Sequence, residues 1–248
     1  MQVWLYTVIS VIIVSLISLI GIFFLALNIE KLKKILLFLV SFAVGSLFAG
    51  AFLHLIPESF EHFGFDYKVP VFVLVGIIIF FTLEKFLRWR HCHMVSCDEH
   101  PHPVVAMNLI GDAVHNFIDG IVIGASYLVS IPIGITTTIA VILHEIPQEI
   151  GDFGILVYGK LSVKKALTYN FLSALFAIIG AVASLLIGRH AANYAYYVLP
   201  ITAGGFIYIA GSDLIPELQH DTKPLRSILQ FVSILLGFGI MVILQFIH

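Results

Sequence analysis

The sequence predicts an all-α integral membrane protein with eight transmembrane helices, and three observations carry that expectation. The chain of 248 residues is 60% hydrophobic and 11% charged, with a mean hydropathy of +1.04; a soluble domain carries about a quarter charged residues. Eight apolar segments reach the roughly 20 residues that a helix needs to cross a bilayer. Lysine and arginine fall on alternate linkers between those segments, as membrane orientation requires.

The first segment is 4–27. Its N-terminal stretch, "MQVWLYTVISVIIVSL", has no basic n-region and no clear small-residue cleavage site, so it reads as a retained span and not as a signal peptide. The second, 34–57, follows the basic linker "NIEKLKK", and the third, 69–88, ends beside "RWR". The fourth, 104–129, and the fifth, 131–158, meet at "LVSIP" almost without a loop. The sixth, 163–188, the seventh, 194–217, and the eighth, 225–247, are separated by equally short linkers. This leaves a single transmembrane domain over 1–248 and no room for a soluble one. Two cysteines, Cys92 and Cys97, imply no disulfide framework. The formal net charge of −2 says little about partners, because its distribution matters more than its sum.

That distribution sets the orientation. One set of linkers holds Lys31, Lys33, Lys34, Lys85, Arg88, Arg90, Lys160, Lys164, Lys165, Lys223 and Arg226; the alternate set holds only Lys68 and Arg189. Positive charge accumulates on the cytoplasmic side. Both termini are therefore expected outside, with the loops at 28–34, 88–103, 158–165 and 217–226 in the cytoplasm.

The middles of the fourth and fifth segments are not apolar. They read "GDAVHNFIDG" (111–120) and "HEIPQEIGDF" (144–153). A charge at the centre of a bilayer costs roughly 2.5–3.5 kcal/mol on insertion scales, so something must offset these residues. Residues four apart share a helix face. His115 and Asp119 therefore stack, with Asn116 beside them and Asp112 a turn before; His144 stacks with Gln148, and Glu145 with Glu149 and on towards Asp152. Pro147 removes a backbone hydrogen bond and is expected to bend the helix there. The two segments are adjacent and antiparallel, so their polar centres can meet at one depth. Imidazole nitrogen and carboxylate oxygen suit zinc and its first-row neighbours. A bound divalent cation would offset the buried carboxylates better than mutual hydrogen bonding, since too many acceptors converge. Gly120, Gly124, Gly151 and Gly154 are expected to let these two helices approach closely.

"HNFIDG" followed by "HEIPQEIGDF" resembles the signature of the ZIP (Zrt-, Irt-like protein) divalent metal transporters, closest to the branch marked by HExPHE in the fifth span. "HLIPES", "LEKFLRWRHCH" and "DLIPEL" fit the same branch, so the resemblance covers nearly the whole chain. It implies eight spans, outside termini and a binuclear metal site at mid-membrane. By motif position, one metal would take His115, Asp119, His144 and Gln148. The second would take Asn116, Asp119 and Glu145, with Asp119 bridging, and Glu149 matches the last motif residue. Position 148 departs from the pattern: the branch usually has His there and other members Glu, and an amide is the weaker ligand. The family's sixth span can also supply a ligand, and here "TYNFLSALFAIIGAVASLLIG" offers only Asn170 and Ser173.

An internal echo points to a transporter architecture on separate grounds. Residues 43–58, "AVGSLFAGAFLHLIPE", align without gaps with 202–217, "TAGGFIYIAGSDLIPE", sharing Gly45/Gly204, Ala51/Ala210 and the whole "LIPE". By the charge rule one copy runs outward and the other inward, as in an inverted repeat. His54 and Glu58 would then sit at the outer mouth and Asp213 and Glu217 at the inner one, as first and last ligands on the path. The alternative is that they are interfacial end-of-helix residues beside prolines. The cytoplasmic loop 88–103, with His91, Cys92, His93, Cys97, His100 and His102, reads either as a low-affinity metal acceptor or as a solvated linker of biased composition.

The expected function is import of a divalent metal, zinc first and Fe2+, Mn2+ or Cd2+ as alternatives, into the cytoplasm by alternating access. The metal is cargo and no separate cofactor is expected. The protein would be multi-pass in a plasma or inner membrane, its partners the metal and the bilayer, with no nucleic acid and a homodimer left open. The alternative function is a membrane-embedded metal hydrolase, since "HEIPQE" superficially resembles HExxH. That motif needs a second His four residues on, where this chain has Gln148. A second alternative is a proton-coupled or regulatory membrane protein whose carboxylates titrate.

Overall fold

A computed structural model of the protein describes residues 2–21, 29–91, 103–188, 190–191, 193–220 and 223–246. The regular structure of these residues is helical throughout. Helix α1 is Gln2–Ile17, prolonged by a 3-10 turn over Ser18–Ile20. Helix α2, Ile29–Ala49, passes through a π-helical turn, Gly50–Leu55, into α3, Ile56–Phe63. Helix α4 is Lys68–His91, α5 is Pro103–Val129 and α6 is Ile131–Tyr158. Helices α7, Val163–Ala174, and α8, Phe176–Gly188, follow one another across Leu175. Helix α9, Tyr194–Tyr208, continues through a second π-helical turn, Ile209–Leu214, into α10, Ile215–Gln219; α11 is Pro224–Gln245.

Among the described residues, helix occurs in each of the eight segments read from the sequence. Four stretches among the described residues are long and apolar enough to cross a membrane: Gln2–Ile20, Leu37–Phe63, Val163–Gly188 and Pro224–Gln245. On α11, Ile228, Phe231, Leu235 and Ile243 all turn outward, as an apolar solvent allows. The second segment outruns its expected end at 57 and stays helical to Phe63. Pro57 stands in the first turn of α3, directly after the π-helical turn.

The junction of α5 and α6 is a single residue. Ser130 is extended (φ −158°, ψ 157°) and its Oγ accepts the N–H of Ile133 at 3.2 Å, with Pro132 in the same first turn. This folds the two longest helices into a tight hairpin. A Cβ at Gly134 would run into the Tyr127 ring across the turn. The Tyr127 hydroxyl in turn pairs with Ser10 Oγ at 2.8 Å, tying α1 to the hairpin. Helix α6 runs through Pro147 without interruption.

Glycines set three further crossings. Gly45 of α2 lies on the Ile234 carbonyl of α11, and Gly237 of α11 on the Phe42 carbonyl of α2. Gly76 of α4 lies on the Ile201 carbonyl of α9, and Gly204 of α9 on the Val73 carbonyl of α4. Gly120 of α5 meets the Ala177 carbonyl of α8, and Gly180 of α8 the Phe117 carbonyl of α5. A methyl group at any of the six would collide with backbone oxygen, so only glycine permits these separations. These pairs are the most extensively packed in the molecule. The expectation that four glycines bring α5 against α6 is therefore corrected. Gly120 and Gly124 pack on α8, whereas a Cβ at Gly151 or Gly154 would meet nothing within 4 Å. Helix spacing alone places Gly120 with Gly124 on one face of α5 and Gly151 with Gly154 on one face of α6; which neighbour covers each face is decided by the fold.

The two copies of the internal echo share local geometry as well as sequence. The π-helical turns occupy aligned positions, 50–55 and 209–214, and each runs into its "IPE" at the start of a short helix. The aligned Gly45 and Gly204 make the same kind of backbone contact, each to a different partner helix.

Candidate metal centre

The α5–α6 hairpin brings four side chains to one point. His115 and Asp119 lie one turn apart on α5, and His144 and Glu145 are consecutive on α6. His144 Nε2 is 3.2 Å from Asp119 Oδ2 and 3.3 Å from His115 Nε2. His115 Nε2 is 3.3 Å from Glu145 Oε1 and 3.7 Å from Asp119 Oδ2; His144 Nε2 is 3.8 Å from Glu145 Oε1. One ligand atom from each of the four lies within 4.8 Å of all the others. Asp119, His144 and Glu145 are fully buried, and His115 is half-buried.

These separations are those of ligands around a small cation. Zinc bonds of about 2.0–2.1 Å to nitrogen and oxygen, arranged tetrahedrally, leave the ligand atoms about 3.3–3.4 Å apart. The hydrogen bond behind His144 prepares it for that task. Its Nδ1 is 3.0 Å from the Ala140 carbonyl, which can only accept, so Nδ1 carries a proton and Nε2 is the ring nitrogen turned to the cluster. Glu145 Oε2 is buried with no hydrogen-bond donor. Phe206 of α9 stands 6.1 Å from the His144 ring and closes an apolar side of the site.

The other three residues expected at the centre are placed as follows. Asn116, fully buried, donates Nδ2 to Asp112 Oδ1 at 2.8 Å and to the Asp112 carbonyl at 3.2 Å. Gln148 is half-buried, one turn beyond His144 on α6. Glu149 is fully buried and accepts from Asn170 Nδ2 of α7 at Oε2. Ser173 of α7 donates to Asp112 Oδ2. The sixth segment thus supplies both of its polar candidates to the neighbourhood of the centre. Sequence spacing left their partners open, because a residue on α7 has no fixed rotation relative to α5 and α6. The signal was that they are polar side chains within a largely apolar run.

His54 sits in the first π-helical turn, buried, with Nε2 donating to the Met241 carbonyl of α11 at 2.9 Å. Glu58 is half-buried in α3. Asp213 lies in the second π-helical turn and Glu217 in α10, and their side chains fall outside the description. Of the histidine-rich loop, His91 closes α4 with its side chain outside the description. Cys92, His93, Cys97, His100 and His102 lie outside the described residues.

Comparison with known proteins adds to this geometry. A family model described as ZIP Zinc transporter matches residues 1–104 and 96–245. The chain is 30% identical to a protein of Caenorhabditis briggsae named Zinc transporter zipt-7.1, over all of this chain and 80% of that relative. It is 30% identical to Zinc transporter SLC39A7 of Rattus norvegicus, over 88% of this chain and 66% of that relative. With Zinc transporter ZIP10 of Mus musculus the identity is 40%, over 56% of this chain and 18% of the relative. The chain thus spans four fifths of the first relative, just under two thirds of the second and less than a fifth of the third.

Proposed function

The chain belongs to the ZIP zinc transporter family, and we propose that it carries zinc through the α5–α6 centre by alternating access, towards the cytoplasm. It is a multi-pass membrane protein. The observation that carries the reading is the set of five ligand-atom separations between 3.2 and 3.8 Å among His115, Asp119, His144 and Glu145. Two imidazoles and two carboxylates at that spacing suit zinc, and also accept Fe2+, Mn2+ or Cd2+. Gln148 and Asn116 complete the site as the weaker, neutral ligands.

All eight helical segments span the bilayer, with both termini outside. The matched π-helical turns and the matched glycine crossings support an inverted repeat relating α2–α3 to α9–α10. The tight pairs α2·α11 and α4·α9 are suited to a scaffold, and α5, locked to α8, together with its hairpin partner α6, to the part that moves the metal past it. A carrier needs both parts, since a site that holds metal equally well in every state moves nothing.

The chain is not an enzyme in this reading. His144-Glu145-x-x-Gln148 lacks the second histidine of a metal hydrolase, and Glu145 Oε1 lies among the clustered ligand atoms, 3.3 Å from His115 Nε2. The membrane is a plasma or inner membrane, and the partners are metal and lipid, with no nucleic acid. The deciding experiment is zinc influx into proteoliposomes loaded with a zinc-sensitive dye. Wild-type protein fills them and His144→Ala does not; equal influx by both would dismiss the site.

A further inference from the structure

A second group of buried oxygens lies one helical turn from the centre. Asp112 precedes His115 by three residues on α5, and Glu149 follows Glu145 by four on α6. The two helices run in opposite directions, so both steps lead to the same end of the hairpin, where α5 begins and α6 ends. At a rise of 1.5 Å per residue, each carboxylate stands about 5 Å along the axis from the four-residue cluster. Asp112 and Glu149 are both buried.

Around them, neutral donors are spent and acceptors are left over. Asn116 and Ser173 donate to the two oxygens of Asp112, and Asn170 donates to Glu149 Oε2. Three fully buried oxygens then meet no donor: Glu149 Oε1, Asn116 Oδ1 and Asn170 Oδ1. The two carboxamide oxygens are independent of the acidic pair. Each belongs to an amide already turned by its own N–H towards one of the carboxylates. One proton on one carboxylate would answer a single vacancy. A cation answers several at once, because it takes as many oxygens as its shell allows.

We propose that Asp112, Glu149 and Asn170 form a second cation station, made of oxygen alone, that receives the metal from the four-residue cluster on its way to the α5–α6 open end. It rests on the transport reading and is distinct from the pairing of Asn116, Asp119 and Glu145 implied by family resemblance. The donor chemistry differs between the two positions. Imidazole at the centre favours zinc, whereas carboxylate and carboxamide oxygens favour harder cations such as Mn2+ and hold zinc less firmly. Metal would thus step from a tighter to a looser site, with Ser173 and the Asn170 amide keeping the carboxylates in place.

The test uses the full chain, purified in detergent and preloaded with zinc, then titrated with Mn2+ and read by electron paramagnetic resonance. The expected result is one further Mn2+ per chain without nitrogen hyperfine coupling. Asp112→Asn combined with Glu149→Gln should abolish that signal while zinc content stays at the wild-type level, which also shows that the variant is folded. Asn170→Ala should weaken Mn2+ binding severalfold. His144→Ala should lower zinc content and retain the oxygen-bound Mn2+. Absence of a nitrogen-free Mn2+ signal in wild-type protein would overturn the station, as would its survival in the double variant. Unchanged zinc content in His144→Ala would instead overturn the four-residue centre, so the two readings fail separately.

Discussion

His144 faces Asp119 across the hairpin with Nε2 3.2 Å from Oδ2, while its Nδ1 is bonded at 3.0 Å to the Ala140 carbonyl one turn back on the same helix. The backbone thereby orients the ring, with Nε2 turned towards the carboxylate. Asp119 also approaches the other imidazole, His115, at 3.7 Å.

Asp119 therefore sits between both histidines, and Asp119→Ala should reduce zinc uptake to background at normal abundance. Radioactive zinc uptake, normalised to surface protein, measures this; near-normal transport by the variant would refute the shared-carboxylate arrangement.

Gln148 stands one turn beyond His144 on α6 and carries a neutral amide. Gln148→His and Gln148→Glu should lower the apparent KM for zinc and leave the maximal rate unchanged or reduced, because a carrier must also release its cargo. Gln148→Ala should raise KM only a fewfold, since water can replace one weak ligand. Kinetics of the three variants decide the point. A Gln148→Ala protein as inactive as Asp119→Ala would make this residue an essential ligand or gate.

Replacing His91, His93, His100 and His102 together with Ser should alter uptake modestly and leave the metal of the α5–α6 centre bound. Zinc content of the purified variant by mass spectrometry is the readout, and loss of that metal would move the primary site to the loop.

Gly45 touches the Ile234 carbonyl, so Gly45→Ala must push α2 and α11 apart. A destabilisation of about 1–3 kcal/mol is expected, the usual range for overpacking. Gly151→Ala meets open space and gains helix propensity, so stability should hold or rise by up to about 1 kcal/mol. Thermal unfolding in detergent compares the two, and equal melting shifts would contradict the packing described.

Much of this protein was legible in its order of residues. Hydropathy runs marked the helical segments because the property is local: a helix satisfies its own backbone, and its length is counted along the chain. The pairing of His115 with Asp119 was legible for the same reason, since a spacing of four residues places two side chains on one face whatever surrounds them. The "LIPE" echo is likewise visible in the sequence, and each copy holds a π-helical turn at the aligned position.

What the chain could not state was how each helix is rotated against its neighbours. The i, i+4 rule put Gln148 with His144 and Glu149 with Glu145 equally well. Only the hairpin decided that Glu145 reaches the histidines while Glu149 accepts from Asn170. Gly120 and Gly151 are the same residue type on adjoining helices, yet one lies on the Ala177 carbonyl and the other in open space. His54 carries the same side chain as the clustered His115 and His144, but a carbonyl of α11 engages its Nε2. Each of these outcomes depends on contacts between segments distant in sequence. Helical periodicity fixes angles within a helix and none between helices, so they were settled by tertiary packing alone.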